Sequence, residues 1–286
     1  MIAQNFEYIR PKTLAEALSL LADGEAKPLA GGMSLVPLMK LRLATPERVV
    51  DIARLPELNY IREGDGAVHI GAGVTHHQVE TSQLLRSRAR LLSETAAHIG
   101  DPQVRNRGTL GGSIAHADPA ADYPAALFAL EAKVVVTGPS GDRTLSIDEF
   151  LIDTFTSALE PGEIIREVII PFETAGEGCS YQKVVQPASG FAIVGIAARI
   201  AKQNNAVSLV RVGVTGLGPK AYRAANVEAA LMGSAGSAED IQHASAVVAE
   251  GVEANRDIHA SSDYRKHLSR VYTMRALAVA LSRTSQ

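Results

Sequence analysis

A short polar stretch at residues 173–178 divides this sequence into two parts with different hydrophobic patterns. Before it, helix-like and strand-like segments alternate. The strand-like runs after it lie at residues 180–186, 191–201 and 208–215, and the helical stretches at about residues 221–231, 238–250 and 263–281. Because blocks of strands followed by helices are typical of an α+β architecture, we predict an α+β C-terminal domain with a three-stranded antiparallel sheet and helices.

The part before the polar stretch contains two units. The first opens with a helix behind Thr13, which Glu16 follows three residues later as in a capping box. The second begins near Tyr60 and includes a helix that starts after Thr75 and runs to about residue 85. A chain of 286 residues exceeds the roughly 100–150 residues of a typical domain. We therefore predict domains at residues 1–58, 59–175 and 178–286.

Two Gly-Gly passages are the candidate binding loops. They are the first glycine loop (residues 28–35), Pro28-Leu29-Ala30-Gly31-Gly32-Met33-Ser34-Leu35, and the second glycine loop (residues 107–114), Arg107-Gly108-Thr109-Leu110-Gly111-Gly112-Ser113-Ile114. Glycine lets a ligand approach the backbone, and successive free N–H groups form a concave site for an anion. A Gly-Gly pair alone more often marks a tight turn. Because the form occurs twice, we predict that both loops close on one pyrophosphate.

Composition excludes several classes of protein. The formal net charge of −3 gives no electrostatic basis for binding nucleic acid or an anionic membrane. The single cysteine, Cys179, excludes an intrachain disulfide and a cluster held by several thiolates, and we predict an inert thiol there. No apolar run approaches the roughly 20 residues of a bilayer span, and no signal peptide is visible. We therefore expect a cytoplasmic protein without a membrane span.

Other motifs give weaker indications of a functional site. Gly71-Ala72-Gly73 stands between a strand and a helix, as in a dinucleotide-binding fingerprint, but His76 occupies the sixth position, where a small residue is needed. We reject that fingerprint. Neither His76-His77 nor His116-Ala117-Asp118 has the companions of a metal site, so no metal is predicted. Asp118 and Asp122 more plausibly cap a helix or bind a hydroxyl-rich ligand than act as a catalytic pair.

Longer motifs carry a family resemblance over nearly the entire chain. The most specific is Asp101-Pro102-Gln103-Val104-Arg105-Asn106-Arg107-Gly108-Thr109-Leu110-Gly111-Gly112-Ser113, continued to Asp122. The opening Phe6-Glu7-Tyr8-Ile9-Arg10-Pro11, the first glycine loop, Tyr181-Gln182-Lys183 and Gly190-Phe191-Ala192 complete the pattern. On these motifs the sequence resembles the medium, FAD-binding subunits of the xanthine dehydrogenase and carbon monoxide dehydrogenase class of molybdenum hydroxylases.

The resemblance implies a two-part FAD-binding domain of the vanillyl-alcohol-oxidase or PCMH type, followed by the α+β domain. By resemblance, the residues that bind FAD are Pro28, Leu29, Ala30, Gly31, Gly32, Met33, Ser34, Leu35, Ile99, Thr109, Leu110, Gly111, Gly112, Ser113, His116, Asp122, Ile165, Lys183 and Phe191. Asp122 would bind a sugar or ribityl hydroxyl, Lys183 would lie near the flavin, and Ile99 and Ile165 would line the adenine.

Two residues depart from the family pattern. Met33 stands where many relatives carry glutamine, so a side-chain hydrogen bond is lost there. Phe191 stands where tyrosine is frequent, so it can cover the flavin ring but cannot donate to it. Neither change removes the backbone N–H groups of the glycine loops.

The resemblance also implies partners and a division of labour. A large subunit would hold the molybdenum cofactor, and a small subunit two [2Fe–2S] clusters, in a dimer of heterotrimers. FAD in this chain would pass electrons to an external acceptor, and no side chain here would act on the organic substrate. The alternatives are a self-contained FAD-dependent oxidase or dehydrogenase, which turnover by the isolated chain would reveal, and a non-enzymatic nucleotide-binding module, which reversible flavin reduction would exclude.

Overall fold

The computed structural model describes residues 2–284, and its first unit is built on a three-stranded parallel sheet. The strands are β1 (Glu7–Ile9), β2 (Ala26–Leu29) and β3 (Arg48–Asp51), and β3 lies in the middle. The helices are α1 (Leu14–Leu21) and α2 (Leu35–Lys40). Thr13 caps α1 by accepting a hydrogen bond from the Glu16 N–H, as predicted. The first glycine loop connects the end of β2 to the start of α2.

The second unit contains a five-stranded antiparallel sheet. Its chain segment includes β4 (Ile61–Gly64), β5 (Ala67–Gly71), β6 (Lys133–Gly138), β7 (Gly141–Ser146), the short pair β8 (Leu151–Asp153) and β9 (Thr156–Ser157), and β10 (Ile164–Pro171). The strand order in the sheet is β4-β5-β10-β6-β7. The last strand of this segment, β10, thus lies at the centre of the sheet, where β5 and β6 pair with its two edges.

Seven helices accompany this sheet. They are α3 (His76–Thr81), α4 (Gln83–Arg88), α5 (Arg90–Ala97), α6 (Pro102–Arg105), α7 (Leu110–His116), α8 (Asp122–Ala129) and α9 (Ile147–Phe150). The single helix predicted from Thr75 to residue 85 is wrong, because it divides at Ser82. Ser82 is extended, with φ −62° and ψ 119°, and its side chain caps α4 by accepting from the Leu85 N–H. Thr75 caps α3 in a complete capping box.

The C-terminal part has the predicted α+β architecture, with one strand more than predicted. Its elements are β11 (Gly178–Val185), β12 (Ala192–Gln203), β13 (Ala206–Thr215), β14 (Tyr222–Arg223), α10 (Ala225–Leu231), α11 (Ala238–Ala246) and α12 (Ser262–Ser282). The antiparallel sheet is four-stranded, because Tyr222 pairs with Val214 and Arg223 with Gly213. The helix predicted from residue 221 therefore begins only at Ala225.

Helix α8 joins the second unit to the C-terminal sheet. Every residue of α8 is buried, and the helix packs on β12 and β13. At Gly213 of β13 an added Cβ would lie 1.9 Å from the backbone oxygen of Ala125, so strand and helix touch through their main chains. Tyr181 of β11 is buried in the same core as α5 and α8. The first residue of this shared helix, Asp122, faces the candidate site.

The predicted domain boundaries fall between the three sheets, and the division into domains stays a prediction. Within residues 2–284, none of the helices combines the length and the apolar composition that a membrane span requires.

Candidate cofactor site

Both glycine loops line one cleft with a volume of about 740 Å³. The predicted residues that line it are Pro28, Leu29, Ala30, Gly31, Gly32, Met33, Ser34, Leu35, Ile99, Thr109, Gly111, Gly112, Ser113, His116, Asp122, Ile165 and Phe191. Two predicted residues do not line it. Leu110 is fully buried in the hydrophobic core, and the side chain of Lys183 is only 1% exposed. Residues that are far apart in sequence thus surround a single space.

The first glycine loop lines the cleft with residues 28–35. Gly32 has φ +75°, a left-handed conformation that residues with a Cβ rarely adopt. Gly31 packs directly on the second loop, since an added Cβ would lie 2.1 Å from the Arg107 carbonyl oxygen. Among residues 2–284, no acceptor is hydrogen-bonded to the N–H groups of residues 31–35. These donors are available to an anion, as predicted for this loop.

The second glycine loop has a different role from the one predicted, because its backbone donors are already used. The Leu110 N–H donates to the Val74 carbonyl and the Gly111 N–H to the Ala72 carbonyl, both at 2.9 Å. The Gly112 N–H donates to Oγ1 of Thr109, 3.1 Å away, which caps α7. The expectation of a second set of free N–H groups is therefore wrong. This loop shapes the wall of the cleft, with the Ser113 side chain at its surface.

His76 packs against the second glycine loop at Gly108. Its side chain is 4% exposed, and its Nε2 would lie 2.4 Å from a Cβ at Gly108. The ring Nδ1 of His76 lies 3.2 Å from the Tyr123 hydroxyl oxygen, and the backbone N–H of His76 donates to the Gly108 carbonyl. Burial, aided by the Arg105 charge, lowers the pKa of His76 to about 4. His76 is therefore a buried packing residue beneath the second glycine loop.

Asp122 and Lys183 form a buried ion pair at the edge of the cleft. Lys183 Nζ lies 2.9 Å from Oδ1 and 3.0 Å from Oδ2 of Asp122. The Tyr181 hydroxyl donates to Oδ1 of Asp122 at 2.5 Å. Burial raises the pKa of the Asp122 carboxyl, and the Lys183 ammonium opposes that rise. Asp122 is 4% exposed and lines the cleft, whereas Lys183 lies behind it.

Apolar side chains line two separate parts of the cleft. Ile165 is a buried residue of β10, close in sequence to the lining segment 157–164. Ile99 precedes Gly100, whose Cα would lie 3.2 Å from a Cβ at Gly190, so Ile99 belongs with the segment that carries Phe191. Phe191 is 41% exposed at the cleft. The predicted adenine role shared by Ile99 and Ile165 stays a prediction.

Several lining residues were not predicted from the sequence. They include Lys27, His76, residues 159–163 and Ser189, whereas Asp118, predicted from the sequence as a helix cap or a ligand for hydroxyl groups, also lines the cleft. Segment 159–163 is a turn in which Pro161 and Gly162 approach Gly24 and Ala22 of the first unit. Its Pro-Gly pair is a signal for a turn, but nothing local indicates that this turn reaches a ligand. No group of three His, Cys, Asp or Glu side chains placed to hold a metal occurs in residues 2–284.

Two family models match the chain. That of the FAD binding domain in molybdopterin dehydrogenase covers residues 4–173, and that of the CO dehydrogenase flavoprotein C-terminal domain covers residues 179–280. The chain belongs to the family of FAD-binding medium subunits of molybdenum hydroxylases. FAD is therefore the cofactor of this medium subunit, which is part of an oxidoreductase. The predicted recognition, fold class and cofactor are confirmed.

Relatives match the medium subunit from end to end. It is 40% identical to the carbon monoxide dehydrogenase medium chain of Hydrogenophaga pseudoflava, over 99% of both chains. It is 39% identical to the 6-hydroxypseudooxynicotine dehydrogenase complex subunit alpha of Paenarthrobacter nicotinovorans, over 98% of this chain and 95% of the relative. A solved carbon monoxide dehydrogenase from H. pseudoflava that lacks the Mo-pyranopterin moiety superposes with a TM-score of 0.97, at 41% identity and full coverage of both chains.

The cleft of the medium subunit has the features that FAD requires. Free N–H groups at residues 31–35 suit the pyrophosphate, and the carboxylate of Asp122 suits a hydroxyl group. The first glycine loop can pack against Arg107 in this way only because Gly31 carries no Cβ. Apolar side chains such as Ile165 and Phe191 suit aromatic rings.

Proposed function

We propose that the first glycine loop binds the pyrophosphate of FAD and that the second glycine loop forms the facing wall. The observation that carries this proposal is the row of backbone N–H groups at residues 31–35, which have no acceptor among the described residues and line the cleft. A phosphate oxygen is an acceptor that such donors favour. Contact between Gly31 and Arg107 brings the two loops close enough for one anion to lie between them.

The other lining residues take complementary roles in this proposal. Asp122 accepts a hydrogen bond from a sugar or ribityl hydroxyl through Oδ2, which receives only the Lys183 ammonium. Phe191 covers the flavin ring, and Met33 contributes apolar contact where a polar side chain is frequent in relatives. Ser34, Thr109, Ser113 and His116 lie at the same surface, although Oγ1 of Thr109 already accepts from the Gly112 N–H.

We further propose that this subunit passes electrons from [2Fe–2S] clusters of a partner through FAD to an external acceptor. Bound FAD supplies both one-electron and two-electron transfer, which links cluster chemistry to such an acceptor. The chain binds and orients the cofactor, and its walls at Ile165 and Phe191 exclude water from parts of it. With one cysteine, the chain cannot ligate a four-thiolate cluster, so the clusters are assigned to a partner.

The proposed assembly contains a large molybdenum subunit and a small iron–sulfur subunit, arranged as a dimer of heterotrimers. The names of the relatives support a multi-subunit enzyme, since they are a medium chain and a subunit of a dehydrogenase complex. The expected cytoplasmic location remains a prediction.

Reconstitution tests this function directly. The purified chain should carry about one FAD, released intact by acid or heat, because no covalent attachment residue is predicted. Reduced with dithionite, its flavin should reoxidise with quinones, dyes or oxygen, while the chain alone should not oxidise organic substrates. Addition of the two partner subunits should restore substrate-driven reduction of the acceptor. Full-rate substrate oxidation by the chain alone, free of molybdenum and iron, would identify a self-contained oxidase instead.

A further inference from the structure

Lys183 has no N–H left for the cofactor. Its ammonium has three donors, and they reach the Asp122 carboxylate, the His98 carbonyl at 2.6 Å and the Gly190 carbonyl at 2.7 Å. Its side chain is buried and does not line the cleft. A direct contact between Lys183 and the flavin would require one of these bonds to break.

The three acceptors belong to separate segments around one part of the cleft. His98 ends α5, Asp122 begins α8, and Gly190 lies in the Gly190 loop (residues 186–191), which connects β11 to β12. The Lys183 side chain on β11 therefore links the end of α5, the start of α8 and the Gly190 loop. These three contacts of its ammonium group are called the tie below. Each of these segments contributes a lining residue, namely Ile99, Asp122 or Phe191.

The Lys183 ammonium is the charged group that holds the middle of the Gly190 loop in position. Internally it is closed by the Gly190 N–H donating to the Gln186 carbonyl and the Gln186 N–H donating to the Phe191 carbonyl. Those bonds fix the shape of the loop but not its place over the cleft. Outside the loop, Gly190 meets the Lys183 ammonium and Gly100, while Nε2 of the Gln186 side chain lies 3.0 Å from Nε2 of His259 at the start of the loop.

We infer that Lys183 is a positioning residue that fixes the Gly190 loop, and with it Phe191, against the flavin end of the cleft without touching the cofactor. This inference rests on the proposed placement of FAD, but the tie itself lies within the chain. Lys183 also places the Asp122 carboxylate, so that one oxygen remains available for a cofactor hydroxyl.

Exchange of backbone amide hydrogens in the flavin-free full chain tests the tie. Because K183M alone would bury an unpaired Asp122 carboxylate, the comparison is between D122N and the double variant D122N/K183M. The amides of Ser189, Gly190 and Phe191 should exchange at least about tenfold faster in the double variant, the change expected when a charged hydrogen bond is lost. Lys202, which donates to the Ala235 carbonyl away from the cleft, provides the matched control K202M.

A second measurement concerns the bound flavin. At a fixed solution potential, the ratio of oxidised to reduced flavin should differ between D122N and D122N/K183M by at least about tenfold, and K202M should match the wild type. Equal amide exchange in D122N and the double variant would overturn the tie. Equal flavin ratios with altered exchange would overturn its effect on the cofactor. A wild-type chain that binds no FAD would contradict the proposed function, while the exchange result would still decide the tie.

Discussion

Gly31 and Arg107 touch through their backbones, and this contact joins the two glycine loops. A Cβ at Gly31 would lie 2.1 Å from the Arg107 carbonyl oxygen and 2.7 Å from the Cα of Gly108. The hydrogen atom of glycine is therefore the only side chain that permits this approach. In the proposed function, the first loop supplies the anion donors, and the second loop holds the first loop in place.

Gly31→Ala should separate the two loops and release FAD. The methyl group meets backbone atoms, which cannot rotate away, so we expect flavin content to fall more than about tenfold and stability to fall by about 1–3 kcal/mol. Flavin absorbance per chain and urea unfolding would measure both effects. Gly64→Ala is the control, because its Cβ would meet nothing closer than the His69 side chain at 3.5 Å. A flavin-saturated Gly31→Ala protein would contradict the contact between the loops.

Gly112 and Gly111 should respond differently to substitution. Gly112 is exposed, and an added Cβ would lie 2.8 Å from Oγ1 of Thr109 and 4.0 Å from the Cβ of Ala30 in the first loop. Gly112→Val should therefore lose FAD while the apo chain stays folded, at a cost of about 1 kcal/mol from disturbance of the Thr109 cap. Gly111→Ala should instead lower stability by about 1–3 kcal/mol, because the added Cβ would lie 2.4 Å from the Cβ of Ala72. Full flavin content in the Gly112→Val protein would show that this loop is only a turn.

His76 should make the chain less stable in mild acid. In the folded chain the pKa of His76 is lowered to about 4, whereas the ordinary pKa of histidine is 6.5. As the pH falls below 6.5, the unfolded state therefore binds a proton before the folded state does. The stability associated with the neutral, buried ring is fully present above pH 6.5 and is lost towards pH 4. Between pH 7 and pH 5 we expect a loss of about 2 kcal/mol from this group.

Urea unfolding of His76→Gln at pH 7 and pH 5 isolates that contribution. Glutamine does not titrate, so the stability difference between the two pH values should shrink by about 2 kcal/mol relative to the wild type. An unchanged difference in His76→Gln would show that this histidine is not buried as a neutral ring.

Cys179 should resist alkylation until the chain unfolds. Burial raises the pKa of its thiol to about 12, although Arg90 Nε lies 3.3 Å from Sγ and opposes the rise. At pH 8 almost no thiolate forms, and the side chain is 1% exposed. Iodoacetamide should label the protein only in denaturant, as mass spectrometry would show. Rapid labelling of the native chain would refute the predicted inert thiol.

Local patterns predicted much of the fold but not how its segments meet. Thr13 and Thr75 were identified as caps because a cap depends on residues within one turn. Strand Tyr222–Arg223 is too short for any periodicity, and it exists only because β13 offers an unpaired edge. Ser82 likewise ends one helix and caps the next, which a continuous helical pattern conceals.

The site shows the same division between local and distant effects. Gly31 and Gly111 belong to similar motifs, yet one N–H is free and the other donates to Ala72. That difference depends on Ala72, which follows β5 and lies outside the motif. For Lys183 the family resemblance indicated proximity to the flavin. Its burial against Asp122 and Gly190 depends on three segments that only the folded chain brings together.

The backbone contact between Gly213 and Ala125 has a consequence for how such chains can recombine. A chimera that takes its C-terminal part from a relative must keep a glycine opposite α8, or the transplanted sheet will not seat on the helix. Because α8 also carries Asp122, a poorly seated sheet would be detected as weakened FAD binding. The two matched segments, residues 4–173 and 179–280, are therefore expected to be inherited as a pair rather than exchanged as separate modules.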